Sequence, residues 1–344
     1  MRYAELNESQ RKKGGRRTAM LLLAALFLGI FSESGFFSYA IGGKEPEKDK
    51  TEEIMLIPGG TPFGVRFYTE GALVYRLEEG SPAEKAGLKA GDLIVKVNGQ
   101  ELPNAGKLLL LLETSGDAAD LEVQRKGRTL SFRVPLHEES GRMLGVHVRD
   151  SVAGIGTITY YDGEKGVFAG LGHGICDGVN GSILPLSHGS VTKVRLTSVK
   201  KGEKGLPGQL RGVFCPAAIG EVTANTEQGI FGKCDPPKGE KALPAAQKNE
   251  VHEGDAEILS TLTDGQPGRY KIRIEKILSM DSPDKNYLLR VTDKELLELS
   301  GGIVQGMSGS PILQDGRIVG AVTHVLLEDP QKGYGIYIGN MLGK

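Results

Sequence analysis

The chain has 344 residues, enough for two domains that each bury a core of their own. Its formal net charge is −1, which excludes the general basic bias of a nucleic-acid-binding surface. Glycine is used 50 times, about twice the average of roughly 7 %, and tryptophan is absent, a composition that suits short strands joined by many turns. Cys176, Cys215 and Cys234 are isolated along the chain, so zinc-type spacing is missing and no metal is expected. One disulfide, Cys215–Cys234, or three free thiols both fit this count.

The first segment, 1–43, pairs a basic block, Arg11-Lys12-Lys13-Gly14-Gly15-Arg16-Arg17, with the apolar run Ala19–Phe31. That run is short for a membrane span of roughly 20 residues and suits a signal h-region. Gly35–Gly42 resumes mostly apolar, and Ser38-Tyr39-Ala40 offers a small-x-small cleavage site. A cleaved signal and a retained anchor are both open. Either way the basic block stays in the cytoplasm and the remainder is translocated. Residues 44–53 are nearly all charged and read as a solvated linker.

Residues 54–136 read as one small α+β domain. Val65–Tyr68 and Ala72–Leu77 are strand-like, and Ser81-Pro82 followed by Gly87 predicts a short capped helix. Leu93–Val97 closes on an Asn98-Gly99 turn, Ala105–Thr114 is helical, and a last hairpin spans Leu121–Val134. The run Ser81 to Ile94 resembles the signature of a bacterial PDZ domain, a module that binds an extended peptide by strand addition. The loop Pro62-Phe63-Gly64-Val65 stands where the carboxylate-binding loop of such a domain is expected, so Phe63, Gly64 and Val65 are candidate peptide contacts. Leu108 and Leu112 either wall the side-chain pocket or fill the core.

Residues 141–344 carry strand-like runs at Gly154–Tyr160, Val191–Val199, Glu221–Ala224, Tyr270–Ile277 and Arg317–Leu327, separated by glycine turns. Such spacing predicts β-barrels rather than alternating α/β units. Within this region lies Gly301-Gly302-Ile303-Val304-Gln305-Gly306-Met307-Ser308-Gly309-Ser310-Pro311-Ile312. A serine between glycines can stand exposed on a tight turn, and the N–H groups of Gly306 and Ser308 could converge as an oxyanion hole.

A serine needs a base to take its proton. His173, in Gly170-Leu171-Gly172-His173-Gly174, is flanked by small residues that leave its edge accessible. Its competitor His324 lies in an alternating apolar strand and is expected to be packed. For the acid that orients the imidazole, the candidates are Asp293 and Asp177. As a bare reading, Asp293 serves equally as N-cap of a helix over Lys294–Ser300.

Gly170–His173, Thr292-Asp293, Gly301–Ile312 and the tail from Gly320 to Ile338 together resemble the stage IV sporulation protein B family, membrane-associated serine peptidases of endospore-forming bacteria. The likeness extends over nearly the whole chain. It implies a mainly β fold: a chymotrypsin-like double β-barrel preceded by a PDZ domain and an N-terminal hydrophobic helix. Residue by residue, it implies catalytic roles for His173, Asp293 and Ser308, with no cofactor. In typical chymotrypsin-like enzymes the aspartate lies far upstream of the serine, whereas Asp293 lies close before Ser308. The resemblance further implies release into the space between the two forespore membranes. There such a peptidase cuts itself and a membrane-bound regulator of an intramembrane protease, which leads to sigma-factor processing. The alternative is a PDZ-containing adaptor whose peptidase-like domain only binds peptides.

Overall fold

Alternation of apolar and charged residues sets most of the strands. A computed structural model describes residues 53–343 apart from 138–140, 142 and 264. It opens with β1 (Met55–Pro58), β2 (Pro62–Leu77), α1 (Pro82–Ala86), β3 (Leu93–Val97), β4 (Gln100–Glu101), α2 (Leu108–Glu113), β5 (Ala118–Arg125) and β6 (Arg128–Pro135). The Ser81-Pro82 signal yields the short helix it predicts. Ser81 Oγ accepts the Glu84 N–H at 3.2 Å, and Gly87 ends α1 in a left-handed conformation. In β5, Ala119, Leu121 and Val123 point inward while Asp120 and Gln124 face out, the period of a half-buried strand. They share a core with Val74, Ile94, Val134, Leu108 and Leu112. Beside this core the fully buried Asp92 is gripped by Arg125, Nε to Oδ1 at 2.6 Å and Nη2 to Oδ2 at 2.7 Å.

The chain continues through β7 (Val146–Asp162), β8 (Val167–Gly170), β9 (His188–Lys200), β10 (Gln209–Thr226), β11 (Gly229–Cys234) and β12 (Leu243–Pro244). Pairings run β7–β8–β11–β10–β9–β2 and return from β2 to β7, so these strands close into a ring. Phe63, Phe67, Ile158, Phe168, Val191 and Ile230 fill it, with Phe63 and Phe168 meeting edge to face at 6.1 Å.

The last part holds β13 (Gly254–Ser260), β14 (Gly268–Ile277), β15 (Tyr287–Val291), α3 (Lys294–Ser300), β16 (Pro311–Gln314), β17 (Arg317–Leu326), β18 (Asp329–Tyr337) and α4 (Ile338–Leu342). Its strands form a closed barrel in the order β13-β14-β15-β18-β17-β16. Tyr270, Ile272 and Ile274 of β14 enter that core between the outward Lys271 and Arg273. Tyr287, wholly buried, donates its hydroxyl to Val319 O at 3.0 Å. A mainly β architecture with a barrel and a PDZ-like region is therefore what this chain builds.

One expectation changes. Val65–Tyr68 and Ala72–Leu77 are not two strands but parts of the continuous β2. Its first half packs in the ring with Phe168, while Ala72 and Val74 belong to the PDZ-like core. Strand β7 does the converse: Val146 and Val148 pack against the PDZ-like core, and Ile158 lines the ring. One ladder, from Pro62↔Thr157 to Leu77↔Val146, thus joins the region 54–136 to the region that begins at 141. The basic block, the apolar segment and nearly all of the charged linker lie outside the described residues. Among the described residues no helix is long and apolar enough to cross a membrane, and the three cysteines are free.

Candidate active site

Between α3 and β16 the backbone N–H groups divide into two sets. Those of Ile303, Gln305, Met307, Gly309 and Ser310 donate to Pro330, Gly208, Val304, Val322 and Met307 carbonyls respectively. Among the described residues, the N–H groups of Val304, Gly306 and Ser308 donate to no protein acceptor, and the last two lie in the turn that carries the serine. The turn that leaves them free is built on Gly306 and Gly309, whose φ angles are 100° and 97°. Gly309 also has no room for a side chain: a Cβ there would lie 1.9 Å from Thr157 O and 2.6 Å from Leu171 N.

Thr157, on β7 and almost fully buried, ties the serine turn to the histidine turn. Its N–H donates to Ser308 O at 2.9 Å, and its hydroxyl donates to Gly306 O at 2.8 Å. Its own carbonyl accepts the Leu171 N–H at 3.2 Å. Sequence inspection missed this residue, since nothing sets one strand threonine apart from its neighbours. Leu171 and Gly172, with φ angles of 68° and 67°, then swing the chain so that His173 leaves the end of β8.

His173 is half-buried, and its Nδ1 lies 3.0 Å from Gly174 O. A carbonyl only accepts, so this contact assigns the proton to Nδ1 and leaves Nε2 with a free lone pair. Burial lowers the pKa of His173, against the opposing pull of the Gly174 carbonyl and the Asp284 carboxylate. The imidazole is consequently neutral near pH 7, as a general base requires. Ser308, half-buried itself, donates its hydroxyl proton to Thr323 O at 2.7 Å.

His324 is the neighbour that the sequence pattern undervalued. It is only partly covered, and its ring lies 4.8 Å from that of His173 with a tilt of 34°. Asp284 faces the same pair: its Oδ2 is 3.8 Å from His324 Nδ1. Burial, and to a lesser degree the facing His173, push the His324 pKa down to about 4. His173, His324, Asp284, Cys176, Asp177 and Glu227 help line a single chamber of about 580 Å³. Cys176 lies in the same chamber. Burial and the carboxylates of Asp284, Glu227 and Asp177 raise its pKa and keep the thiol protonated.

The family model of the SpoIVB peptidase S55 family matches residues 140–342, more than half of the chain, and holds all of these groups. The chain belongs to the SpoIVB peptidase S55 family. A PDZ domain model matches residues 73–125. Among curated proteins, a probable periplasmic serine endoprotease DegP-like of Marinomonas sp. is 39% identical over 70 residues, 20% of this chain and 15% of its own length. The serine protease Do-like HtrB of Bacillus subtilis is 34% identical over 74 residues, 21% of this chain and 16% of its own. The chain thus spans less than a fifth of the length of these two relatives. Among solved structures, the active form of the Rv3671c protease from M. tuberculosis has a TM-score of 0.33 at 14% identity, covering 56% of this chain and 72% of that one.

For this S55 chain, the aspartate that the resemblance singles out stands at a helix terminus. Asp293 is the N-cap of α3: Oδ1 accepts the Leu296 N–H at 3.1 Å and Oδ2 accepts the Lys271 N–H, also at 3.1 Å. Neither Asp293 nor Ser308 is among the residues that line the chamber beside His173. The other candidate, Asp177, does line it, but its carboxylate accepts the N–H groups of Val179 and Asn180 and so shapes its own loop. Asp293→Ala is expected to lower stability by about 1 kcal/mol through the lost cap, with Asp293→Asn in between, since its single amide oxygen can replace only one of the two carboxylate acceptors. Urea unfolding of the two variants measures the difference.

The expected peptide contacts also need correction. Phe63, Gly64 and Val65 are paired on both edges, with β7 on one side and β9 on the other, so no edge is open for strand addition. Phe63 is fully buried against Phe168 rather than exposed in a loop. Leu108 and Leu112 are buried in the PDZ-like core. The segment beside the turn that leads into α2 is instead Val146–Asp150 of β7, where Asp150 Oδ2 accepts the Ala105 N–H at 3.0 Å. One edge of Val146–Arg149 pairs with β2; the other carries no ladder pairing among the described residues. A continuous barrel strand cannot be told from an N-terminal PDZ strand by local pattern, and both read as apolar alternation.

Proposed function

We propose that the chain is a serine endopeptidase in which Ser308 is the nucleophile and His173 the general base. The observation that carries this reading is the pair of unclaimed N–H groups at Gly306 and Ser308, beside a hydroxyl on a turn that Thr157 holds against the His173 turn. In the reaction, the Ser308 hydroxyl exchanges its bond to Thr323 O for one to His173 Nε2. The proton passes to Nε2 as Oγ attacks the scissile carbonyl, and the oxyanion is received by the two N–H groups. The imidazolium then protonates the leaving amine, and water repeats the sequence to release the acyl group. Closure of both strand sets into barrels supports a chymotrypsin-like arrangement with this site between them.

The PDZ-like region supports capture of an extended peptide, and the open edge at Val146–Asp150 is the place for it. Since β7 runs on from that edge to Thr157, a peptide bound there is coupled by one strand to the serine turn. The basic block, the apolar N-terminus and the periplasmic designation of the Marinomonas relative support translocation across the cytoplasmic membrane. Family membership supports a role in sporulation, with the chain itself and a membrane-bound regulator of an intramembrane protease as substrates.

The test follows the integrity of the full chain in detergent micelles over hours by mass spectrometry, wild type beside Ser308→Ala. Fragments in the wild type alone are the expected result and locate the sites of self-cleavage. If both chains remain intact and the wild type takes up no fluorophosphonate at Ser308, the peptide-binding adaptor replaces this reading.

A further inference from the structure

The chamber that His173 borders is lined by three carboxylates, those of Asp177, Asp284 and Glu227. Among the described residues, none of the three pairs with a lysine or an arginine. The Asp284 carboxylate meets the His324 ring, Oδ2 to Nδ1 at 3.8 Å, but burial keeps that imidazole neutral near pH 7. Lys285 is close enough to oppose a charge on His324, yet it lies over the Tyr334 ring at 5.5 Å and is not part of the lining. Asp177 shows most clearly that a donor is missing. The residue is 2 % exposed, and its Oδ1 accepts the Val179 and Asn180 N–H groups at 3.1 and 2.9 Å. Its Oδ2 is buried with no hydrogen-bond partner. Such an oxygen is costly to leave unpaired, and a donor entering the chamber would satisfy it.

We infer that the chamber beside His173 is a subsite for a lysine or arginine side chain of the peptide being cut, with Asp177, Asp284 and Glu227 as its specificity-determining residues. This deepens the serine-peptidase reading and rests on it.

Size, walls and charge all fit that occupant. A volume of about 580 Å³ is within the range of side-chain and small-ligand pockets. Ile175, Ile183 and Pro283 give it apolar wall, against which an aliphatic stem can lie while the charged head reaches the carboxylates. Asp177 is buried, Asp284 half-buried and Glu227 exposed, so the negative charge runs from the interior out to solvent. All three act on one point, since each raises the pKa of the Cys176 thiol. His173 borders the chamber and Ser308 does not, so the space takes a side chain near the scissile bond rather than the bond itself. The walls are held before any peptide arrives. Asn225 Nδ2 donates to Ile175 O and Leu184 O, both at 2.9 Å, and its Oδ1 accepts the Ile175 N–H at 2.8 Å. Asn180 Nδ2 donates to Gly91 O at 2.8 Å, which ties the same loop to the PDZ-like region. A site already in shape loses less entropy on binding.

The experiment maps, by mass spectrometry, where the full-length protein in detergent micelles cuts a mixture of synthetic peptides of randomised sequence. Labelling of Ser308 by a small uncharged fluorophosphonate runs in parallel. Lysine and arginine should be favoured roughly fivefold over neutral residues at one fixed position, the scale of a partly screened ion pair. Glu227→Gln, a change at an exposed side chain, should weaken that preference, and Glu227→Asp should keep it. Adding Asp284→Asn to Glu227→Gln should erase it. Asp177 stays in place because its Oδ1 holds its own loop. In Glu227→Gln the labelling rate should match wild type, a split that general damage to the fold would not produce. The inference is overturned if the wild type has no preference for basic side chains at any position, or if the double variant retains it. A wild type that neither labels nor cuts overturns the peptidase reading and this inference with it. One that labels and cuts without regard to charge overturns the inference alone.

Discussion

Ser308→Ala is expected to abolish fluorophosphonate labelling, and His173→Ala to slow it by roughly 10²–10⁴-fold, the scale of a lost general base. The two effects should not add. With Ser308 gone there is no proton for His173 to take, so the double variant should match Ser308→Ala. Intact-mass spectrometry at fixed reagent concentration reads both rates. The hydroxyl donates to the Thr323 carbonyl, which accepts the hydrogen bond but is too weakly basic to take the proton. The Nε2 of His173, left unprotonated by the Nδ1 contact to Gly174 O, is the base proposed to take it. His173→Ala leaves water as the base while keeping the unclaimed N–H groups of Gly306 and Ser308. Labelling that stays within a few-fold of wild type in His173→Ala would remove that histidine from the chemistry.

Gly309→Ala should be the most damaging small substitution in the barrel. Its φ of 97° is a conformation that side chains disfavour, costing roughly 1–2 kcal/mol. The new methyl would also stand 1.9 Å from Thr157 O, and forcing such an overlap apart costs roughly 1–3 kcal/mol more. Together these place the loss at about 2–5 kcal/mol, on the order of a 10 °C fall in Tm. Because Thr157 bonds Ser308 O and Gly306 O, its displacement would move the serine turn as well, and labelling should fall with stability. Gly116→Ala is the control: its Cβ would meet nothing within 4 Å and its φ is not positive, so a change beyond about 0.5 kcal/mol is not expected. Calorimetry and labelling rates on the two variants decide the matter. A Gly309→Ala protein as stable and as reactive as wild type would mean the turn is far softer than its contacts indicate.

Much of this molecule is local enough to be read directly. The α1 helix follows from Ser81, Pro82 and Gly87 because capping and left-handed closure act within one turn. The inward faces of β5 and β14 follow from alternation, since the period of a strand is two whatever lies beyond it. Ser308 between glycines and His173 between glycines carry their own signal: small neighbours that clear space for chemistry. The sequence by itself thus determined a mainly β chain with a PDZ-like region and a serine turn, and the membership that goes with them.

What only the tertiary structure decided is which surfaces and which charges meet. Phe63–Val65 reads equally as a binding loop or a strand, and the choice was made by β7 and β9 pairing with both of its edges. Asp293 is equally a cap or a catalytic acid in one dimension; three-dimensional placement gives its oxygens to Leu296 and Lys271. Asp284 and His324, far apart in the chain from His173, carry no local mark of the company they keep with its ring in the fold. Coulomb attraction and ring packing act across space within a few ångströms, and that distance exists only once the barrel has closed.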